Sequence, residues 1–132
     1  MSAARPVACS GHAVEGTDVH LVIFPPPSTP APFQVPMPFK GKIIGSAPLV
    51  VNGRAVALHS DVVIGEPHQP PPGAAFAPQF MSNTGTLIAS QAAVIVAGRA
   101  VVARGDLAVT CHFSGPLPTS QVTEGDPSLV IP

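Results

Sequence analysis

Short apolar runs separated by proline and glycine dominate the pattern of hydrophobic and polar positions along the chain. The clearest runs are 49–51, 54–58, 94–96 and 99–103, where the second and fourth begin with Arg54 and Arg99 and are otherwise apolar. No long segment shows the period of a helix. Runs of this length between turn residues are typical of short strands. The pattern therefore predicts an all-β fold, rich in turns and lacking long helices.

The four runs predict two β-hairpins, one formed by 49–51 and 54–58 and the other by 94–96 and 99–103. In the first hairpin, Asn52-Gly53 joins the strands, and this dipeptide favours a type I′ turn because both residues accept positive φ. In the second hairpin the turn is Ala97-Gly98. Alanine is poorer than asparagine at the first turn position, so we expect this turn to be of another type.

The two hairpins belong to an internal repeat with an offset of 45 residues. Both copies combine a proline-rich approach, 25–38 or 67–78, with a hairpin and a final aspartate. We expect the approaches to be extended. The chain then reads as one domain, 1–132, with units of about 20–65 and 66–111. The tail, 112–132, adds an edge strand or projects onto a partner. The matching positions are Gly53/Gly98, Arg54/Arg99, Ala55/Ala100, Val56/Val101 and Asp61/Asp106.

The second copy ends in Arg104-Gly105-Asp106, a tripeptide that adhesion ligands use to bind integrins. The equivalent residues of the first copy are His59-Ser60-Asp61. Only the aspartate is shared, so we interpret the tripeptide as incidental. An aspartate beside a hairpin end most often accepts backbone N–H bonds in a turn.

Low charge narrows the classes of partner. Of the 132 residues 45% are hydrophobic and only 10% charged, with a formal net charge of −1. A chain without a basic patch is a poor candidate for binding nucleic acid. Residues 67–98 contain no Asp, Glu, Lys or Arg, and we expect another protein to cover part of this neutral surface. The first residues lack the pattern of a secretory signal peptide, and no apolar stretch is long enough to span a membrane.

The hairpin-plus-aspartate unit resembles the repeated unit of PAAR-motif proteins, V-x-I-N-G-K-P-A-A-R-x-G-D. The matching segments are VVNGRAVALHSD (50–61) and VIVAGRAVVARGD (94–106), followed by Cys111. The four motif positions, 55–58 and 100–103, do not spell Pro-Ala-Ala-Arg, so the chain is PAAR-like, and the resemblance covers about 41–111.

The resemblance implies a small conical β-domain that caps and sharpens the homotrimeric spike of a contractile injection machine, such as a type VI secretion system, a phage-like tail or an extracellular contractile particle. The expected protein is a structural one, made in the bacterial cytoplasm and delivered on the particle. It would be a monomer alone, bind as one copy per trimer, touch the target membrane transiently, and carry effector cargo in some cases. The remainder of the chain would supply a third, pseudo-equivalent side.

Histidines and a cysteine at corresponding ends of the two units predict a structural zinc site. His20 and His68 head the two approaches, His59 ends the first hairpin, and Cys111 follows the second. Three imidazoles and one thiolate make a closed tetrahedral set for Zn²⁺, which leaves no open position for catalysis. Metal ligation through histidines and a cysteine is also what the PAAR resemblance implies.

Several alternatives to this ligand set stay open. Cys9 is the rival thiol, and a Cys9–Cys111 disulfide is possible; the fourth ligand is His59, His12 or Cys9. For His12 and His112 we expect surface or capping roles, as for most single histidines. In addition, His112 directly follows Cys111, and neighbours in an extended strand point to opposite faces.

Two other functions compete with the structural one. An adaptor that recruits an effector would use the same fold and bind through its proline-rich segments. A small metal-dependent enzyme would need an open metal position and a general base, and the closed ligand set argues against it.

Overall fold

Antiparallel strands connected by tight turns make up the described chain. The computed structural model describes residues 4–24 and 32–132, so Pro25-Pro26-Pro27 and part of the first approach lie outside the described residues. The prediction of a small all-β single domain is confirmed. No helix among the described residues has the length and apolar character needed to cross a bilayer. The strands are β1 (Arg5–Val7), β2 (Ala13–Ile23), β3 (Phe33–Ile44), β4 (Val50–Val51), β5 (Arg54–Ala55), β6 (Val62–Gly65), β7 (Ala75–Phe76), β8 (Thr84–Ile88), β9 (Ile95–Val96), β10 (Arg99–Ala100), β11 (Leu107–Thr110), β12 (Leu117–Val122) and β13 (Asp126–Ile131).

Six of these strands close into a barrel in the order β2, β3, β6, β8, β11, β12, because β12 pairs with β11 on one side and with β2 on the other. β2 and β3 are the longest strands and pair from Ala13↔Lys42 to Val22↔Phe33. β6 pairs with β3 only from Gly41 onward, so Pro36 and Pro38 occupy a stretch of β3 where β6 needs no ladder hydrogen bonds from it.

Three two-stranded ribbons accompany the barrel: β4–β5, β9–β10 and β1–β13. The first two are the predicted hairpins. The expectation that their turns differ was wrong: φ is 50° and 79° at Asn52 and Gly53, and 51° and 81° at Ala97 and Gly98. Positive φ at both central positions is the type I′ geometry. The second hairpin keeps this geometry even though alanine fits it poorly.

The third ribbon is formed by the two ends of the chain. In its register Arg5 faces Ile131, as Arg54 faces Val51 and Arg99 faces Val96 in the hairpins. The tail is therefore not an appendage: β12 completes the barrel and β13 completes the third ribbon. The molecule has three equivalent units, not two repeats and a tail.

A ring of three short segments, 7–9, 56–58 and 101–103, lies where the three units meet; we call them the crossing segments. Their outer residues form isolated bridges around the ring, Val7↔Ala103, Cys9↔Val56 and Leu58↔Val101. Their middle residues continue the cycle through backbone bonds from Ala8 to Val102, from Val102 to Ala57 and from Ala57 to Ala8, at 2.9, 3.0 and 2.9 Å. This closed cycle gives the fold its pseudo-threefold symmetry.

The crossing segments separate two apolar clusters. Their middle residues face the barrel interior, where they pack with Phe39, Leu87 and other strand residues. Their outer residues belong to a second cluster, which the three ribbons cover through Val51, Val96 and Ile131. One end of the barrel is thus closed by the crossing segments and ribbons. The barrel strands β2, β6 and β11 run away from this end.

Each crossing segment is followed by a tight turn, and we call the turns 9–12, 58–61 and 103–106 the closing turns. Oδ2 of Asp61 accepts the backbone N–H of Leu58 at 2.8 Å, and Oδ2 of Asp106 accepts that of Ala103 at 3.0 Å. Arg99 pairs with Asp61 at 3.1 Å and Arg5 with Asp106 at 2.5 Å. The aspartate of the Arg-Gly-Asp tripeptide is therefore buried inside a turn, which supports the incidental interpretation.

Candidate metal centre

Four buried side chains, Asp18, His20, His68 and Cys111, converge in the barrel. One ligand atom from each residue lies within 4.8 Å of every other. Three of the four predicted ligands are thus brought together, and the fourth position belongs to an aspartate rather than to His59.

Strand geometry explains how the group assembles. Asp18 and His20 lie two residues apart on β2, where alternate side chains share a face, and that face is buried. Cys111 directly follows β11, and His68 is the third residue after β6. Each of these three strands begins directly after a closing turn and runs away from the ribbons. Each ligand comes five to eight residues after its closing turn in extended chain, so the group lies about 15 Å or more from the closing turns.

The distances between donor atoms suit a small divalent ion. Nε2 of His20 lies 3.2 Å from Sγ of Cys111, and Sγ lies 3.4 Å from Oδ2 of Asp18. Nε2 of His68 lies 2.9 Å from the same Oδ2. Two ligands about 2.0 and 2.3 Å from a tetrahedral ion lie about 3.5 Å apart. These three separations are near this value and the other pairs lie within 4.8 Å, so movements of about 1 Å would seat an ion.

Hydrogen bonds from two threonines orient Asp18. Thr110 donates to Oδ1 at 2.6 Å and Thr119 donates to it at 3.0 Å. With Oδ1 occupied, Oδ2 is the oxygen that faces His68 and Cys111. The carboxyl group is fully buried, and buried polar groups need hydrogen-bond partners of this kind.

Burial affects the protonation of Cys111 and His20. Burial raises the pKa of the Cys111 thiol to about 11, with the nearby charge of Asp18 acting in the same direction. Burial lowers the pKa of His20, against a hydrogen bond to Oε1 of Gln79 that raises it. Without a metal ion Cys111 is therefore a thiol and His20 a neutral imidazole, the form that binds metals.

The charge of a divalent cation would match that of the group once Cys111 has lost its proton. A carboxylate and a thiolate carry two negative charges, which a divalent ion neutralises in a site that excludes water. The group also forms internal hydrogen bonds without an ion, and no buried side-chain N or O atom of the described residues lacks a partner. The arrangement can therefore serve as a metal site or as a buried polar network, and the donor set, N₂OS, is one that zinc accepts.

The remaining candidates lie outside this group. Nδ1 of His59 accepts the N–H of Ala89 at 3.1 Å, so the prediction that His59 is a ligand does not match the geometry. Cys9 is buried in the second apolar cluster and, like Cys111, is a free thiol, so no disulfide forms between them. His12 closes a turn, and His112 contacts Ser114.

The sequence carried a signal for Asp18 that the reasoning from the repeat did not use. Asp18 and His20 are an i, i+2 pair of potential ligands, and in a strand the side chains of such a pair share a face. The repeat pattern of histidines instead favours His59, which lies at the end of the first hairpin.

No family model matches the sequence. A search of curated proteins likewise found no significant match.

Proposed function

We propose that this protein is a PAAR-like spike tip that caps the homotrimeric spike of a contractile injection machine. The observation that carries the proposal is a set of exposed apolar side chains with threefold equivalence. Val50, Ile95 and Val130 are 57%, 55% and 51% exposed. Each lies at the same register position of its ribbon, facing Ala55, Ala100 and Pro6.

The ribbons present these residues because strand neighbours alternate between faces. Val51, Val96 and Ile131 turn inward and pack on the second apolar cluster. The residues before them consequently turn outward. Large β-branched residues held in water at three equivalent positions are typical of a surface that a partner covers.

A partner with true threefold symmetry fits this surface best. A single chain with three similar sides can meet three identical subunits with three similar contacts, so the proposed stoichiometry is one copy per trimer. Apolar contacts of this kind depend weakly on ionic strength. Ribbon edges that are open in the isolated protein can also pair with strand ends of the partner.

The proposal includes Zn²⁺ bound by Asp18, His20, His68 and Cys111. In this role the ion ties β2 to the chain segments that follow β6 and β11, far from the ribbons. It would stabilise the end of the domain that faces away from the spike. Such a site has a structural role, since four protein ligands complete a tetrahedral shell.

Copurification with the cognate spike protein tests the proposal. The full chain is expected to bind one copy per spike trimer at low and at high salt. Replacing Val50, Ile95 and Val130 together by lysine should abolish binding. The matched control replaces three comparably exposed residues of the barrel wall, Ile44, Val62 and Ile64, by lysine and should leave binding intact.

Three outcomes contradict the tip function: absence of a complex, three copies per trimer, or equal loss of binding in both triple variants. Circular dichroism of each variant shows whether it is folded before binding is compared. If the ribbon variant does not fold, the single variant Val50→Lys replaces it and should weaken binding by about tenfold or more.

A further inference from the structure

We infer that Gln79 is the positioning residue of the metal centre: it fixes His20 in the tautomer that turns its free nitrogen toward the metal. Gln79 follows β7, the short strand that pairs with the far end of β2. The inference rests on the metal site proposed above.

The orientation of the Gln79 amide is determined by the backbone. Its Nε2 donates to the carbonyls of Leu21 and Ala77 at 2.7 and 2.9 Å. Its Oε1 accepts the N–H of Leu21 at 2.9 Å. Rotating the amide by half a turn would set N–H against N–H and oxygen against oxygen at these contacts. The oxygen must therefore be the atom that faces His20.

This oxygen determines which nitrogen of His20 carries the proton. Nδ1 of His20 lies 2.9 Å from Oε1 of Gln79. Because the amide oxygen only accepts hydrogen bonds, Nδ1 must be protonated. In the neutral ring Nε2 then has a free lone pair, and it lies 3.2 Å from Sγ of Cys111, inside the ligand group.

Gln79 thus couples two functions through one side chain. Its bonds to Leu21 join the chain after β7 to β2, and its bond to His20 prepares a ligand. Partners of this kind typically change metal affinity by 10- to 100-fold when they are removed. Among the described residues, no other side-chain amide forms a hydrogen bond with a member of the ligand group.

The tautomer provides a readout that a purely structural role would not alter. In the metal-free full-length protein, long-range ¹H–¹⁵N correlations of the imidazoles should show His20 with the proton on Nδ1. In Gln79→Leu the Nδ1–H form should no longer dominate. Competition between the protein and a chromophoric chelator for Zn²⁺ should show affinity weakened by about tenfold or more.

Gln79→Glu separates positioning from stability. The carboxylate still accepts from Nδ1–H of His20 and from the N–H of Leu21, but it cannot donate to the two carbonyls. Its zinc affinity should stay within a few-fold of wild type while its thermal stability falls as in Gln79→Leu. A merely structural residue would lose affinity equally in both variants.

The outcomes of this inference and of the proposed zinc site can be told apart. Wild-type protein that binds no Zn²⁺ refutes the zinc site, yet the tautomer of the metal-free protein still tests Gln79. A wild-type His20 protonated on Nε2, or a Gln79→Leu variant with unchanged tautomer and affinity, overturns the inference. If Gln79→Leu does not fold, the wild-type tautomer and the Gln79→Glu affinity decide it.

Discussion

The imidazole of His12 takes the place of the carboxylate of Asp61. Nδ1 of His12 accepts the backbone N–H of Cys9 at 2.9 Å, three residues earlier. Oδ2 of Asp61 accepts the N–H of Leu58 at 2.8 Å, also three residues earlier. The same closing turn is thus held by a histidine in one unit and by an aspartate in another. The two groups differ in charge, and this difference has a consequence for stability.

The His12 turn should make the fold sensitive to mild acid. Burial and the nearby Arg54 lower the pKa of His12, and Lys42 adds to this; Glu124 and Asp126 act in the opposite direction. The unfolded chain, with an ordinary histidine pKa of about 6.5, then binds more protons than the folded chain just below that pH. Stability is therefore complete above about pH 6.5 and falls as the pH decreases through the unfolded pKa toward the lower folded one.

Urea unfolding between pH 5 and 8 measures this effect in wild type and in His12→Asp at equal metal loading. The variant gives the first turn the aspartate of the other two, so its stability should fall less over this interval. Parallel curves for the two proteins would show that His12 does not cause the acid sensitivity.

The metal centre should depend on Asp18 and not on His59. Asp18→Asn removes an anionic ligand and should reduce bound zinc in purified protein from about one equivalent to a small fraction of that. His59→Ala should retain the full equivalent, since the ring of His59 accepts the backbone N–H of Ala89 and is not part of the ligand group. Elemental analysis of both variants, purified without added metal, makes the comparison; zinc loss in His59→Ala would restore the ligand set expected from the repeat.

Cys111→Ser should lower thermal stability by about 10 °C or more, because the proposed zinc ion would contribute to the free energy of folding. His112→Ala, next in the chain, should change the melting temperature little. Treatment with a chelator should bring wild type down to the level of Cys111→Ser. A chelator without effect on wild type would mean that the four side chains form a polar network only.

The second hairpin turn offers a stabilising substitution. Ala97 has φ of 51°, a conformation that costs a residue with a β-carbon roughly 1 kcal/mol and that asparagine tolerates better. Ala97→Asn should therefore raise the free energy of unfolding by about 0.5 to 1 kcal/mol. Ala92→Asn, a nearby exposed site, is the control and should have little effect. Chemical denaturation of both variants would detect the difference.

Gly16 is needed where the barrel closes. It pairs with Ser120 in the β2–β12 register, and a β-carbon there would lie 2.3 Å from the carbonyl oxygen of Thr119. Gly16→Ala should therefore destabilise the fold by about 3 kcal/mol. Thr17→Ala, the exposed neighbour, should stay within about 0.5 kcal/mol of wild type. Similar melting temperatures for the two variants would contradict the tight closure.

The hairpins could be predicted because their turns are encoded locally, by Asn52-Gly53 and by its copy at Ala97-Gly98. The third ribbon could not, because β1 and β13 come from opposite ends of the chain and no turn sequence joins them. The closing turn 9–12 could not be predicted either, because His12 stands where the other two closing turns have an aspartate.

For the candidate site, position in the repeat predicted that the side chains of His20, His68 and Cys111 lie close together. It could not exclude His59, since nothing local shows that its ring turns to the amide of Ala89. Nor could the sequence indicate Gln79, whose role depends on how the uncharged segment after β7 folds back against β2.

The cyclic hydrogen bonds of the crossing segments have a consequence for cooperativity. Ala8, Ala57 and Val102 each donate to one neighbour in the cycle and accept from the other. Removing any one unit would leave one amide and one carbonyl of the other two without their partner in the interior. We therefore expect the three units to fold together, and the three amides to exchange with solvent hydrogen only through global unfolding, at one common free energy.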